Sequence, residues 1–164
     1  MFSTTSLAAG FGVAKPMKLV TSAGGQVVFS LPDDWSAWPD GNGQIFQPAR
    51  AVSGALRLDV LTVRTTGKDG SGLRGMLAER AQAHGVQVEN LQSGFELISY
   101  IEVTEEDGVP ITTTFWELQW RNNEFTVLPI FSFTIETDST AHAEIEADLE
   151  MLHRAIRKCQ MVGQ

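Results

Sequence analysis

The chain has 164 residues, of which 43% are hydrophobic and 20% are charged, and its formal net charge is −8. This length and composition predict one folded domain with its own core and exclude a disordered chain. The acidic balance argues against nucleic acid and anionic membrane as main partners, since both attract basic surfaces. The single cysteine, Cys159, excludes an internal disulfide and a cysteine-based metal cluster.

The acidic excess is concentrated in the second part of the chain. Residues 1–95 carry eight basic and seven acidic side chains, whereas residues 96–164 carry four and thirteen. An acidic region favours a basic partner through charge complementarity. The same composition also keeps a surface soluble without any partner, and the sequence leaves both interpretations open.

The beginning of the chain lacks the features of an export signal. No basic residue precedes Lys15, and a signal peptide requires a basic segment followed by a long apolar one. Apolar stretches elsewhere fall far short of the ~20 residues of a spanning helix. We therefore expect a cytoplasmic protein. Residues 1–23 are predicted to be a loosely ordered lead-in, and residues 24–164 a single α+β domain.

Alternating apolar residues predict strands through the middle of the chain. The predicted strands are 27–31, 45–47, 56–65, 95–104, 111–120 and 125–136. Residues 32–43, rich in proline and glycine, are predicted to be a loop that carries Trp35 and Trp38. Because Pro129 has no backbone N–H, we expect the strand 125–136 to be an edge strand or to be bulged at that proline.

Two helices are predicted, one between the strands and one at the end. The first covers about residues 72–84, with Ser71 as its cap and Gly85 as its stop. The second covers about residues 140–159 and has an apolar stripe at helical spacing. The order of elements predicts an α+β fold, an antiparallel sheet of about five to six strands flanked by helices.

The predicted sheet has apolar residues on both faces. Those of the second face are Leu61, Val63, Phe115, Leu128 and Ile130. A sheet that is apolar on both faces needs cover on both, and a bare face becomes a binding groove or a dimer surface. Trp35 and Trp38 are either lids over the core or exposed anchors for a partner. The strand 125–135, if it lies near an edge, offers pairing across a homodimer.

Motifs that carry catalytic or metal chemistry are missing. The histidines His84, His142 and His153 stand in no close metal-binding pattern, and His142 with Glu146 supplies only two ligands. The helical spacing of Cys159 places it in the core. The sequence therefore predicts no catalytic residue, no metal and no cofactor. The remaining enzyme hypothesis is a scattered site near His84 or His142.

One segment resembles a known superfamily. Residues 28–35 read Val-Phe-Ser-Leu-Pro-Asp-Asp-Trp, which is similar to the strand and Leu-Pro-x-x-Trp start of PsbP-like and DcrB-like domains. A strand that ends at Arg64, a helix, a meander and a closing amphipathic helix extend the similarity over about residues 26–159. The resemblance implies an antiparallel sheet sandwiched between helices.

The resemblance also implies a function. The superfamily includes lumenal photosystem proteins, Ran-binding Mog-type proteins, DcrB-type lipoproteins and effector-associated chaperones of type VI secretion. In size, acidity and expected compartment the chain is most similar to the chaperones, which shield apolar helices of a secreted effector on the sheet. This implies a non-enzymatic protein-binding module acting through the second apolar face. The alternatives are an immunity or inhibitor protein whose acidic half neutralises a basic toxin, and a small enzyme with an unrecognised site.

Overall fold

The computed structural model describes residues 15–50, 54–64 and 75–163. Its strands are β1 (Met17–Thr21), β2 (Val27–Pro32), β3 (Ser36–Asp40), β4 (Gly43–Gln47), β5 (Ala55–Arg64), β6 (Glu89–Asn90), β7 (Glu96–Glu106), β8 (Val109–Arg121), β9 (Phe125–Glu136) and β10 (Gln160–Met161). Its helices are α1 (Met76–His84) and α2 (His142–Arg157). No helix in these three ranges is both long enough and apolar enough to cross a membrane.

The strands form two sheets, and every pairing is antiparallel. The large sheet has seven strands in the order β3-β4-β5-β9-β8-β7-β6, and the small sheet has the order β1-β2-β10. This confirms the predicted α+β fold. The large sheet exceeds the predicted five to six strands because β3 and β6 are too short to show a clear alternation.

One face of the large sheet, which we call the covered face, carries the main core. Leu58 pairs with Phe131, and Phe131 pairs with Trp116, so these three side chains lie in one row across the sheet. The large-sheet residues buried in this core are Phe46, Leu56, Leu58, Leu97, Trp116, Leu118, Val127, Phe131 and Phe133. Their alternation along each strand places them all on one side of the sheet.

The covered face is closed by α2 and β2. The apolar stripe of α2 contributes Ile145, Leu152 and Ile156 to the core, as its helical spacing predicts. From β2, the Phe29 ring meets the rings of Phe46 and Phe131 edge-on, with centroid distances of 5.6 and 5.0 Å. Edge-on contacts of this kind add to the area that each ring buries.

The domain begins earlier than the sequence predicts. The sequence places residues 17–21 in the loose lead-in, but they form β1 and pair with β2 along their whole length. The ordered part of the chain therefore begins before residue 24. Gly24 and Gly25 lie in the turn between β1 and β2, where Gly25 takes a positive φ of 71°. Residues 1–14 of the lead-in lie outside the described residues.

The segment 32–43 is also more ordered than predicted. It contains β3, which pairs with β4, so Trp38 stands on a strand and not in a loop. A short exposed strand with a proline gives no alternating pattern, which explains the error. Trp35 lies just before β3 and is buried in the main core.

The central position of β9 corrects the prediction made from Pro129. β9 pairs with β5 on one side and with β8 on the other, so it is an interior strand. Its pairing with β8 is interrupted between Ile130 and Val127, with the same register on both sides and hence no bulge. A local gap in the ladder accommodates the missing N–H. Because both its edges are occupied, the strand 125–135 cannot pair across a homodimer.

The hairpin and helix ends agree with the sequence. Asp107 and Gly108 both take positive φ, 50° and 80°, as the tight turn between β7 and β8 requires. Gly85 ends α1 in the left-handed conformation. The predicted cap of that helix, Ser71, lies outside the described residues.

Candidate functional site

The second face of the large sheet, which we call the opposite face, is covered by α1 over β7 and β8. Leu77 and Ala81 of the helix pack on Ile98 and Tyr100 of β7. Phe115 of β8 packs at the margin of this smaller cluster and is half-buried. The two helices therefore lie on opposite sides of the sheet, as the sequence predicts.

A polar cluster fixes α1 to this face. Arg80 of α1 forms a two-pronged ion pair with Glu117 of β8, in which its Nε donates to Oε2 over 2.5 Å. The Tyr100 hydroxyl donates to Glu117 Oε1 over 2.5 Å and accepts from Arg80 Nη2 over 2.9 Å. Glu117 is buried, so without these partners its charge would strongly destabilise the fold.

The ionisation of the cluster follows from these contacts. Burial acts to raise the pKa of Glu117, but the hydrogen bonds from Arg80 and Tyr100 outweigh burial and hold that pKa below its usual value. Burial, together with the hydrogen bond to Glu117, raises the pKa of Tyr100 to about 12. At neutral pH the cluster is therefore an arginine, a carboxylate and a neutral phenol, which suits an anchor.

The remainder of the opposite face, on β4, β5 and β9, is the open half-face. Leu128, which pairs with Leu61, is buried there, and the larger apolar side chains around it are Ile45, Leu61, Val63 and Ile130. Leu61 is 57% exposed, and the other three are partly exposed. Trp38 of β3 pairs with Ile45 at the margin and is 40% exposed. An exposed apolar face of this kind is typical of a binding surface.

Charged side chains divide the open half-face. Arg57 of β5 stands between Ile45 and Leu61 and forms ion pairs with Asp59 and Asp40, the former over 2.7 Å. The hydrogen bond to Asp59, together with the charges of both aspartates, raises the pKa of Arg57 despite some burial. Arg57 and Asp59 thus separate Ile45 from the apolar group of Leu61, Val63 and Ile130.

The structure places the predicted binding residues in different environments. All five residues of the second apolar face lie on the opposite face, and three of them, Leu61, Val63 and Ile130, remain exposed or partly exposed. Phe115 packs beside α1, and Leu128 is buried. Of the two tryptophans, Trp35 is a core residue and Trp38 is partly exposed.

The histidines have different partners, although His84 and His153 line the same cavity. His84 stacks on Tyr100 with ring centroids 3.6 Å apart, and His142 is exposed at the start of α2. His153 accepts a hydrogen bond at Nδ1 from Trp116 Nε1 over 2.9 Å. Burial, and the nearby charge of Arg157, lower the pKa of His153, which keeps it neutral as this bond requires.

Metal-binding and nucleophilic groups do not converge. In residues 15–50, 54–64 and 75–163, no three His, Cys, Asp or Glu side chains are placed to hold a metal ion. Cys159, which follows the end of α2, is fully buried in the core, and burial raises its pKa to about 12. A buried thiol with so high a pKa is a poor nucleophile.

A groove between the small sheet and α2 was not anticipated from the sequence. It has a volume of about 490 Å³, and its lining includes Met17 and Met151 together with the cations of Arg50, Arg154 and Lys158. Arg50 donates to Asp148 over 2.9 Å, and Arg154 lies 3.5 Å from Glu150. Arg50 follows β4, whereas Arg154 and Lys158 lie in and just after the last turns of α2, so these cations form no sequence motif and only the fold brings them together.

Similarity to known proteins is visible in the fold and not in the sequence. A protein from Bacteroides thetaiotaomicron has a TM-score of 0.58 and 17% identity, over 93% of this chain and 50% of its own. The chain thus spans about half the length of that protein. LpqN, which is involved in cell envelope biogenesis of Mycobacterium tuberculosis, has a TM-score of 0.57 and 12% identity over 89% of this chain and 90% of LpqN.

The protein Mog1 has a TM-score of 0.50 and 13% identity, over 90% of this chain and 96% of Mog1. No family model matches the sequence. No curated protein matches it either. The matches to LpqN and Mog1 confirm the fold that the resemblance to the PsbP-like superfamily implies. A cyanobacterial PsbP from Synechocystis also matches, but its TM-score of 0.42 supports no argument.

Proposed function

We propose that the chain is a non-enzymatic protein-binding module, a cytoplasmic adaptor or chaperone that shields an apolar segment of a partner such as a secreted effector. The observation that carries this proposal is the unequal cover of the large sheet. α2 and β2 close the covered face, whereas α1 packs on the opposite face over β7 and β8 and Leu61 remains 57% exposed. Exposed apolar side chains on a rigid sheet favour binding of an apolar partner.

The polar cluster supports the non-enzymatic part of this proposal. Arg80, Glu117 and Tyr100 satisfy one another, and the low pKa of Glu117 and high pKa of Tyr100 move both away from neutrality. An acid or base that works near neutral pH needs the opposite shifts. We therefore assign the cluster to holding α1 in place.

A binding assay with a defined probe tests the proposal. The probe is a synthetic apolar helix of about 20 residues with uncharged flanks and a fluorescent label, long enough to resemble a membrane-destined segment. We expect the protein to bind it and Leu61→Glu to weaken binding about tenfold, because a carboxylate would be desolvated in the interface.

Leu19→Glu is the matched control. Leu19 lies on β1 of the small sheet and is 77% exposed, so the substitution is chemically the same and away from the open half-face. Binding should change less than about twofold, and both variants should keep the melting temperature of the parent, because exposed substitutions cost little stability. Equal binding by all three proteins, or equal loss in both variants, contradicts the proposal.

The second candidate function is inhibition of a basic partner, such as a toxin, by the acidic half of the chain. Glu102, Glu105, Glu106 and Asp107 favour it, since all four are exposed at one end of the sheet. Binding that weakens steeply with salt, and is unchanged by Leu61→Glu, would select this function over the first.

A further inference from the structure

The outer edge of β7 is largely without a partner strand. β6 pairs with β7 at Glu96 and Leu97 alone, and β7 continues to Glu106. No strand in the described part of the chain pairs with the outer side of residues 98–106, which we call the free edge. Val86 and Val88 pack against Ile98 and Tyr100 at its start, so its fully exposed part is residues 101–106. At ~3.3 Å per residue this part is about 20 Å long, the length of a typical strand.

The side chains of the free edge alternate in chemistry. Ile101 and Val103 are 65% and 66% exposed and lie on the side of the covered face, since they pair with Thr114 and Thr112. Glu102 lies on the other side, and residues 101–106 are all exposed. Exposed apolar side chains on an unpaired strand favour addition of another strand.

The charge of this region is uncompensated. Glu102, Glu105, Glu106 and Asp107 form no ion pair with any residue that the structure describes. The free edge contains no Lys or Arg. Pairing of two copies through this edge would place the carboxylates of both copies on adjacent strands with no basic residue between them, and like charges on adjacent strands destabilise a sheet. Charge complementarity therefore favours a basic partner over a second copy.

A cavity opens beside the start of the free edge. It has a volume of about 350 Å³ and is lined by Tyr100 and Ile101 of β7, by His84 of α1, and by Leu149 and His153 of α2, among others. The cavity lies at the edge of β7, with α1 on one side of the sheet and α2 on the other, and it leaves room for a side chain of an added strand. A pocket for an alternate side chain is what gives strand addition its specificity.

From these observations we infer that the free edge is a strand-pairing site for an extended segment of a partner protein that alternates apolar and basic residues. Its apolar side chains contact Ile101 and Val103, its basic ones contact Glu102 and the carboxylates of the hairpin end, and its backbone pairs with β7. This surface is separate from the open half-face, so either site can fail its test while the other stands.

Peptide binding to the full chain tests the inference. The probe is a fluorescent peptide of about ten residues that alternates Lys and Val, long enough to pair along the exposed edge. The same peptide with N-methyl groups on alternate residues along one edge, made in both registers, keeps the charge but cannot pair its backbone. We expect the parent peptide to bind and both methylated forms to bind about tenfold more weakly.

Charge-reversal variants locate the site. Glu102→Lys/Glu106→Lys should weaken binding of the parent peptide about tenfold through like-charge repulsion. Glu144→Lys/Glu146→Lys changes the net charge equally at exposed positions of α2, and should weaken binding less than about twofold at 0.15 M salt, where distant charges are screened. Leu61→Glu should leave binding unchanged.

Four outcomes would overturn the inference. Equal binding of the methylated peptides would show that charge alone attracts the probe. Equal weakening in the α2 variant would show that no local site exists. Failure of the parent peptide to bind, or self-association of the chain that Glu102→Lys/Glu106→Lys increases, would show that the carboxylates protect the edge from pairing.

Discussion

The two faces of the large sheet differ in how they are closed. On the covered face, buried residues from five strands meet α2 and β2, and side chains such as Leu58, Trp116 and Phe131 are almost fully buried. On the opposite face, a small cluster and one polar anchor hold α1 over β7 and β8. The covered face therefore determines stability, whereas the opposite face leaves surface for a partner.

The largest expected effect separates the two faces by stability. Phe131→Ala should lower the free energy of unfolding by about 3–5 kcal/mol, because it leaves a cavity among tightly packed rings. Leu61→Ala on the opposite face should change it by less than about 0.5 kcal/mol. Urea unfolding of both variants measures the difference, and similar losses would show that the two faces are equally packed.

A smaller effect is expected at the anchor of α1. Glu117→Gln should lower the free energy of unfolding by about 1–3 kcal/mol, since it removes charge-assisted hydrogen bonds at a buried site. The loss is limited to this range because Arg80 is half exposed, so solvent weakens its ion pair with Glu117. Amides of α1 should exchange faster with solvent. Glu105→Gln, an exposed carboxylate on the same sheet, serves as control, and equal losses in both variants would contradict the assignment.

The same carboxylate makes stability depend on pH. The pKa of Glu117 is lower in the folded protein than its ordinary value of 4.5, so its contribution is present above that value. The contribution is lost as the pH falls through the folded pKa. Acid unfolding of the parent should therefore be steeper than that of Glu117→Gln.

The smallest expected effect concerns His153 beneath the covered face. Its pKa is lowered from 6.5, so the unfolded chain takes up a proton before the folded one does, and stability falls as the pH drops below that value. His153→Gln removes the titrating group but keeps an acceptor for Trp116. The loss of stability between pH 7.5 and pH 5.5 should shrink in this variant, and an unchanged loss would contradict the assignment.

Much of the fold was predictable because its long elements have strong periodicity. The alternation along β5, β8 and β9 and the stripe of α2 predicted the covered face, and Asp107-Gly108 predicted the hairpin. The short strands β1 and β3 were missed because five-residue exposed segments carry little pattern. Pro129 was misjudged because an interior strand can interrupt one pairing locally and keep its register.

The candidate site was predictable only in part. Alternation predicts that Leu61, Val63, Phe115, Leu128 and Ile130 share one face, but it cannot say which of them are covered. Phe115 packs beside α1, and Leu128 is buried. The free edge of β7 depends on strand order, which is a property of long-range pairing. The sequence signal for this edge was the alternation of apolar Ile101 and Val103 with the acidic Glu102.

Binding of an apolar partner segment at the open half-face can be measured directly by NMR. The protein carries labelled Ile, Leu and Val methyl groups, and their resonances are followed as the apolar helix probe is added. If the open half-face binds the probe, the methyl resonances of Leu61, Val63 and Ile130 should shift. Those of Leu19 and Val162, on or beside the small sheet, should stay unchanged. Shifts confined to the small sheet, or none at saturating probe, would contradict the proposed binding.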